Sequence, residues 1–145
     1  VDRCNMVKLA IKPYDYMSLS TIETDRPGNT YTADTLAQIY DSYKKIYFII
    51  GADSLLYIQD WYHPEYICSH CHLLCANRDN NSADVLIDQK RFLADKYGAV
   101  IDFIDVPELP YSSTDIRKKV AMGLSVKEDV GEEVEEYIKS RKLYV

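Results

Sequence analysis

Three short apolar runs constrain the fold of this chain more than any other feature. They cover residues 46–50, 72–76 and 99–104. A continuous apolar run of this length is typical of a strand covered on both faces, as in a parallel sheet. Helical periodicity predicts a helix from Thr32 or Ala33 to Tyr43, before the first run, and another over 83–97, between the second and third runs. Strands that alternate with helices favour an α/β fold, so the sequence predicts a parallel sheet with helices on both faces.

The rest of the chain contains further helical patterns and one weaker strand pattern. Residues 17–22 alternate between apolar and polar side chains and predict a short strand. The sequence shows no internal repeat and no linker, so we expect a single domain over residues 1–145. The other predicted helices lie at 2–12, 53–58, 114–122 and 129–140.

Charge and hydropathy exclude several classes of partner. The net charge of −6 argues against nucleic acid and against an anionic membrane surface. No apolar run approaches the roughly 20 residues that a membrane-spanning helix needs. The opening residues are polar and do not resemble a secretion signal. We therefore expect a cytoplasmic protein that contacts neither nucleic acid nor membrane.

The cysteine segment raises the question of a metal site. Cys68, Cys71 and Cys75 are interleaved with His70 and His72, which invites a zinc interpretation. However, the segment reads as a strand with alternating faces, and no second pair of ligands at zinc-finger spacing follows. The sequence therefore predicts reduced, buried thiols and no metal ligand.

Polar residues follow each of the three apolar runs. Gly51 and Asp53 follow the first, Asn77 and Arg78 follow the second, and a hydroxyl cluster at 112–114 lies a short loop beyond the third. In parallel sheets, ligands bind at the carboxyl ends of the strands. These loops are therefore expected to lie at one edge of the sheet and to form a binding site.

The hydroxyl cluster opens a predicted helix. Helix N-termini carry unpaired N–H groups and a partial positive charge, so they bind phosphate well. Ser112, Ser113 and Thr114 could add donors, and Arg117 lies one turn inside the helix, within reach of such a phosphate. An ordinary N-cap is the alternative interpretation.

Two further residues have open alternatives. Asp53 could accept hydrogen bonds from ribose hydroxyls, or it could be the N-cap of the short helix that follows. Trp61, the only tryptophan, could stack on a flat ring of a ligand or cover core surface. The sequence leaves both choices open.

Five motifs occur in order along the chain: GNTYTADTL at 28–36, YFIIGADSLL at 47–56, WY at 61–62, NR at 77–78 and SSTDIR at 112–117. In this order and spacing they resemble the bacterial nicotinate-nucleotide adenylyltransferase family of the nucleotidyltransferase superfamily. The resemblance covers nearly the whole chain from Arg3, including a terminal helix and tail at 134–139 and 143–144.

This resemblance implies a Rossmann-like domain that binds ATP and nicotinate mononucleotide. The mononucleotide phosphate would attack the α-phosphorus of ATP, with Mg²⁺, to give deamido-NAD and pyrophosphate. Thr32, Trp61 and Tyr62 would hold the nicotinate mononucleotide. Ser113 and Arg117 would be the catalytic groups. The residues implied in ATP binding are Gly51, Asp53, Arg78, Ser112, Ser113, Thr114 and Arg117.

The chain also departs from the family pattern. Tyr111 replaces an aliphatic residue, and Pro27-Gly28 reverses the usual order. The family's opening strand and its Gly-x-Phe-x-Pro-x-His-x-Gly-His loop are absent from this sequence. We therefore expect the C-terminal part of a longer enzyme, inactive and marginally folded on its own, with a homo-oligomer left open. A nucleotidyltransferase with another acceptor and a non-catalytic nucleotide-binding fragment are the two alternatives.

Overall fold

The computed structural model describes residues 1–43, 45–76, 83–107 and 111–145. The chain divides into two compact units, which we name the helical unit (Val1–Asp25 with Leu109–Val145) and the sheet unit (Arg26–Glu108). The expectation of a single domain over 1–145 stays a prediction. No helix in the described part of the chain is long and apolar enough to cross a membrane.

The described residues form three strands, eight α-helices and two short 3-10 helices. The strands are β1 (Tyr47–Gly51), β2 (His72–Ala76) and β3 (Val100–Ile104). The α-helices are α1 (Asp2–Ile11), α2 (Thr32–Ile39), α3 (Ala52–Leu56), α4 (Pro64–His70), α5 (Ala83–Tyr97), α6 (Ser113–Ala121), α7 (Lys127–Val130) and α8 (Glu132–Ser140). The 3-10 helices are Tyr40–Ser42 and Ile58–Asp60.

The three strands form one parallel sheet in the order β1-β2-β3. Tyr47 pairs with His72, which pairs with Val100 on the other side. The predicted parallel α/β sheet is therefore confirmed, and β2 has the predicted bounds. Strand β1 begins and ends one residue later than the apolar run predicts.

One face of the sheet forms the core of the sheet unit. Side chains two apart along a strand share a face, and Leu73 and Cys75 of β2 are both fully buried. Ile101 of β3 lies on this face opposite Leu73. Helices α3 and α5 contribute Leu55 and Leu93 to the same cluster. Burial of these side chains holds the sheet against its helices.

The other face of β1 is open. Ile49 is 68% exposed, whereas its neighbour Ile50 is 4% exposed. Tyr47 of β1 and Val100 of β3 share the open face with Ile49, and each is about half exposed. The prediction that this strand is covered on both faces thus holds for one face only.

The strand predicted at 17–22 is wrong. These residues form no strand, and a turn begins among them. The backbone N–H of Asp25 donates to Thr21 O at 2.9 Å, and Thr21 Oγ1 donates to the Asp25 carboxylate at 2.7 Å. Thr24 Oγ1 also donates to Thr21 O. Short polar side chains that bond the local backbone favour turns over strands, which explains the error.

The helix predicted at 129–140 is two helices. Gly131 separates α7 from α8 and has φ 85°, outside the helical region. The carboxylate of Glu135 in α8 accepts hydrogen bonds from Ser125 Oγ at 2.6 Å and from the backbone N–H of Val126 at 2.7 Å. Glycine tolerates this backbone conformation because it has no Cβ. The carboxylate ties the start of α7 back onto α8.

Candidate functional site

A cavity of about 390 Å³ brings together the three residues predicted to hold nicotinate mononucleotide. Two short segments of the sheet unit line it. The lining residues are Thr30, Tyr31, Thr32, Asp60, Trp61 and Tyr62. Thr32 and Trp61 are separated by 29 positions in the sequence, so only the packing of the sheet unit places them on one cavity.

Thr32 reaches this cavity because it is the first residue of α2. The N-cap, Tyr31, is extended, with φ −117° and ψ 140°. Ala33 and Leu36 are buried and anchor the helix to the core. The N–H groups of the first helical turn have no intrahelical partner. The cavity wall at Thr32 can therefore offer backbone donors and a hydroxyl to an anionic group.

Trp61 both packs against the core and lines the cavity. Its ring meets Phe48 of β1 edge-on, with centroids 6.4 Å apart and planes at 75°. The backbone N–H of Trp61 donates to Ile58 O at 3.1 Å, and Ile58 is fully buried. The two interpretations of the tryptophan are thus compatible, because one part of the indole is buried and the rest remains accessible.

The ring of Tyr62 joins the two cavity-lining segments. Its centroid lies 4.5 Å from that of Tyr31 on one side and 4.2 Å from that of His63 on the other. His63 Nδ1 lies 2.9 Å from Glu65 Oε1. The hydrogen bond from His63 lowers the pKa of the Glu65 carboxyl. We name these four residues the ring ladder: Tyr31, Tyr62, His63 and Glu65.

Sequence reasoning did not find His63 as a site residue. The only available signal was its position, between the Trp61–Tyr62 pair and Pro64. It also did not find α4, which begins at Pro64. Proline at the first helical position is a recognised helix start, so this signal was present in the sequence.

Gly51 ends β1 and serves as the N-cap of α3. Its φ of −76° is ordinary for any residue, and within the described residues no atom lies within 4 Å of a Cβ built there. The described part of the chain therefore does not itself require glycine here. Asp53 is exposed and is the second residue of α3, so its prediction as an N-cap is wrong: strand β1 runs directly into the helix through Gly51.

In the helical unit, Ser112 is the N-cap of α6. The backbone N–H of Asp115 donates to Ser112 Oγ at 3.4 Å, which confirms the N-cap interpretation of this serine. Arg117 Nη2 donates to Thr114 Oγ1 at 3.5 Å, so the guanidinium lies along the first turn of the helix. Ser113 and Arg117 are exposed and line a groove of about 420 Å³ in this unit.

Two predictions about the ATP site are not decided by this geometry. Asn77 and Arg78 lie outside the described residues. Gly51 and Asp53 belong to the sheet unit, whereas Ser113 and Arg117 belong to the helical unit. The convergence of these residues on one ATP molecule stays a prediction.

The cysteines of the sheet unit are buried thiols. Burial raises the pKa of Cys68 to about 11 and that of Cys71 to about 12, so both are protonated at neutral pH. Cys71 Sγ donates to Ile67 O at 3.1 Å. Within the described residues, no three His, Cys, Asp or Glu side chains are placed to hold a metal ion together.

Comparison with known proteins gives consistent results. Residues 1–119 match the model of the cytidylyltransferase-like family. A probable nicotinate-nucleotide adenylyltransferase of Lachnoclostridium phytofermentans is 36% identical over 145 residues, covering 99% of this chain and 72% of the relative. One of Thermoanaerobacter is 37% identical over 142 residues, covering 96% and 67%.

Solved structures show the same fold. A Plasmodium falciparum nicotinic acid mononucleotide adenylyltransferase complexed with APC superposes with a TM-score of 0.73 at 18% identity. The match covers 99% of this chain and 74% of that one. The same enzyme complexed with NaAD gives a TM-score of 0.72 and covers 99% and 73%. These matches confirm the predicted Rossmann-like fold.

Proposed function

This chain belongs to the nicotinate-nucleotide adenylyltransferases of the cytidylyltransferase-like family, and from that premise we propose which of its residues hold each substrate. Nicotinate-nucleotide adenylyltransferases transfer the adenylyl group of ATP to nicotinate mononucleotide. The products are deamido-NAD and pyrophosphate, and the reaction is a step of NAD biosynthesis.

The shared cavity of Thr32, Trp61 and Tyr62 is the observation that carries the assignment of the acceptor site. The flat pyridine ring stacks against the aromatic wall of Trp61 and Tyr62. The ring carboxylate accepts hydrogen bonds from the first-turn N–H groups of α2 and from the Thr32 hydroxyl. An anion is favoured there because the N-terminus of a helix carries partial positive charge.

ATP is bound by residues that follow the strands and by residues at the start of α6. No atom of the described residues lies close above Gly51, which suits contact with the nucleotide, and Asp53 accepts hydrogen bonds from ribose hydroxyls. Arg78, which lies outside the described residues, is assigned to the nucleotide from the family resemblance alone. The hydroxyls at 112–114 and the guanidinium of Arg117 hold the phosphates, because charge-assisted hydrogen bonds suit them.

In the transfer step, a phosphate oxygen of the mononucleotide attacks the α-phosphorus of ATP in line. The new P–O bond forms as the bond to the β-phosphate oxygen breaks, and pyrophosphate leaves with the electron pair. Arg117 stabilises negative charge that builds up on the phosphates, and Ser113 positions them with its hydroxyl. This assigns positioning and charge stabilisation to the protein.

Mg²⁺ is the expected cofactor. The described residues do not provide a metal site of three or more protein ligands. Mg²⁺ commonly keeps several waters and is bound mainly through substrate phosphates. We therefore propose that it arrives with ATP and that it neutralises phosphate charge. The partners are then ATP and nicotinate mononucleotide, in the cytoplasm.

The test of this function is acceptor choice. The full-length parent protein that carries this chain is assayed for pyrophosphate release from ATP with nicotinate mononucleotide, nicotinamide mononucleotide or phosphopantetheine as the acceptor. A charge-assisted hydrogen bond contributes about 1.5–3 kcal/mol, so kcat/KM should be roughly tenfold or more higher for nicotinate than for nicotinamide mononucleotide.

Each other outcome changes the proposal. Equal kcat/KM for the two pyridine acceptors means that the acceptor site is assigned wrongly. Preference for phosphopantetheine supports the alternative of a related nucleotidyltransferase. Binding of both nucleotides without pyrophosphate release supports the alternative of a non-catalytic nucleotide-binding module.

A further inference from the structure

We propose that His63 is a positioning residue for the acceptor: its imidazole holds the ring of Tyr62 in the wall of the acceptor cavity. The proposal rests on the proposed function, because it concerns how that cavity keeps its shape. It goes further by assigning a role to a residue that does not itself line the cavity.

The backbone at His63 is in an unfavourable conformation. Its φ of 49° and ψ of 59° place it in the left-handed region, which few residues other than glycine adopt. The next residue is Pro64, and a following proline disfavours helical backbone at the residue before it. A conformation of this kind persists only where the surroundings enforce it, and such positions cluster at functional sites.

The surroundings enforce it from both sides. After His63, helix α4 is anchored by Ile67 and Cys68, which are buried. Before His63, the neighbouring Trp61 packs against Phe48. The left-handed residue turns the chain between these two anchored segments. It leaves the imidazole on the surface, with its side chain 53% exposed, so the ring is not part of the core.

The imidazole makes two contacts that lead to the cavity. Its Nδ1 lies 2.9 Å from the carboxylate of Glu65, which fixes the rotation of the ring. The imidazole and the ring of Tyr62 are in an edge-to-face contact, with planes at 72° and centroids 4.2 Å apart. Tyr62 then meets Tyr31, which precedes Thr32 on the opposite wall. Glu65 is thereby linked through His63 and Tyr62 to the start of α2.

The ring ladder therefore sets the separation of the two segments that line the cavity. Tyr62 is 47% exposed, so burial holds its ring in place only in part. Without the imidazole edge, the phenol would sample other rotamers in solvent, and the acceptor would have to order it on binding. Ordering a side chain on binding lowers affinity.

The alternative role of His63 is purely structural, as a residue that tolerates the turn. Two substitutions separate the roles, because glycine and asparagine both accept left-handed backbone but lack the imidazole. His63→Gly and His63→Asn should each raise the KM for nicotinate mononucleotide by about three- to tenfold. The KM for ATP and the thermal midpoint should stay within error of the unmodified chain.

Trp61 supplies a readout that does not need turnover. It is the only tryptophan in the chain and directly precedes Tyr62. Titration of its fluorescence with nicotinate mononucleotide should show the same three- to tenfold loss of affinity, about the size of one aromatic pair contact, in both variants. Glu65→Ala should also weaken the binding of nicotinate mononucleotide. Glu65→Gln should keep the affinity of the unmodified chain, because an amide oxygen still accepts a hydrogen bond from Nδ1–H of His63.

His70→Asn is the matched control. His70 lies at the other end of α4, where it stacks on Tyr66 with centroids 3.7 Å apart, and it does not line the acceptor cavity. This variant should bind the acceptor as the unmodified chain does. An equal loss in the control would show an effect of the whole helix and would overturn the proposal.

The remaining outcomes are also decisive. Unchanged acceptor affinity in both His63 variants, with the unmodified chain binding normally, would overturn the positioning role and leave the proposed function intact. If the unmodified chain binds ATP but not nicotinate mononucleotide, the proposed acceptor site fails, and the role of His63 toward that acceptor fails with it.

Discussion

At the residue scale, the identity of Gly51 is not explained by the fold. Its backbone is ordinary, and no atom in the described part of the chain would clash with a Cβ. Gly98 is different, because it follows α5 with φ 67°, where glycine is favoured. The backbone conformation therefore favours glycine at position 98 but not at position 51.

We predict that Gly51→Ala leaves the chain folded and weakens ATP binding about tenfold or more, since a methyl group occupies space meant for the nucleotide. The free energy of unfolding should be unchanged or higher by about 0.4–1 kcal/mol, because alanine is compatible with this backbone. Calorimetric titration with ATP and urea unfolding measure the two effects.

Gly98→Ala is the control for this prediction. It should lower the free energy of unfolding by about 1 kcal/mol, because its backbone is left-handed, and leave ATP affinity unchanged. Normal ATP affinity in Gly51→Ala would remove Gly51 from the proposed nucleotide site.

At the element scale, the joint between α7 and α8 depends on one carboxylate. Glu135 accepts from Ser125 and Val126, and Lys139 Nζ lies 2.9 Å from its other oxygen. The hydrogen bond from Ser125, followed by those from Lys139 and Val126, lowers the pKa of Glu135 to about 2. The side chain of Glu135 is the buried polar group that connects the two helices.

We predict that Glu135 stabilises the chain at neutral pH and that this contribution disappears in acid. Its folded pKa of about 2 lies below the ordinary value of 4.5, so the contribution is complete above pH 4.5 and is lost as the pH falls toward 2. Glu135→Gln should therefore be less stable than the unmodified chain at pH 7, and the difference should shrink between pH 4.5 and 2.

Urea unfolding at a series of pH values measures this difference. Glu136→Gln is the control, because Glu136 is exposed on the same helix and such substitutions change stability by about 0.5 kcal/mol or less. A difference between the unmodified chain and Glu135→Gln that stays constant down to pH 2 would rule out the charge of Glu135 as the cause.

At the scale of the whole molecule, the two faces of the sheet differ, because the apolar side chains on one face are buried in the core and those of β1 on the other face are exposed. Ile49 and Ile50 are adjacent in β1 and point to opposite faces. Only Ile50 belongs to the core cluster. In the described residues, β1 pairs with β2 on one side and has no strand on the other.

We predict that Ile50→Ala lowers the free energy of unfolding by about 2–5 kcal/mol, as expected for a buried isoleucine. Ile49→Ala should change it by about 0.5 kcal/mol or less, because Ile49 is already exposed. Urea unfolding of the two variants measures both values. A large loss in Ile49→Ala would mean that another surface covers this face in solution.

A substitution at Ile49 also tests whether copies of the chain associate with one another. An exposed apolar face beside an unpaired strand edge promotes association between copies. Ile49→Thr, which keeps a β-branched side chain, should reduce any concentration-dependent mass seen by light scattering. Equal masses for this variant and the unmodified chain at all concentrations would exclude the face as a source of association.

Local patterns in the amino-acid sequence determined most of the helices and strands of the sheet unit, although they missed α4. Helix α5 and strand β2 have the predicted bounds, because a period of 3.6 or a short apolar run is a property of consecutive residues. The motifs likewise identified the family, since each is a contiguous segment. The parallel sheet followed from the alternation of the two kinds of element.

Only the tertiary structure decided which distant segments meet. It placed Thr32 beside Trp61, linked Tyr31 to His63 through Tyr62, and left Ile49 exposed while it buried Ile50. The two contacts join segments that are far apart in the sequence, so no local pattern predicts them. The different burial of Ile49 and Ile50 is not predicted either, because both are isoleucines in one apolar run. Burial and ring contacts are set by the neighbours that packing supplies, and those neighbours come from elsewhere in the chain.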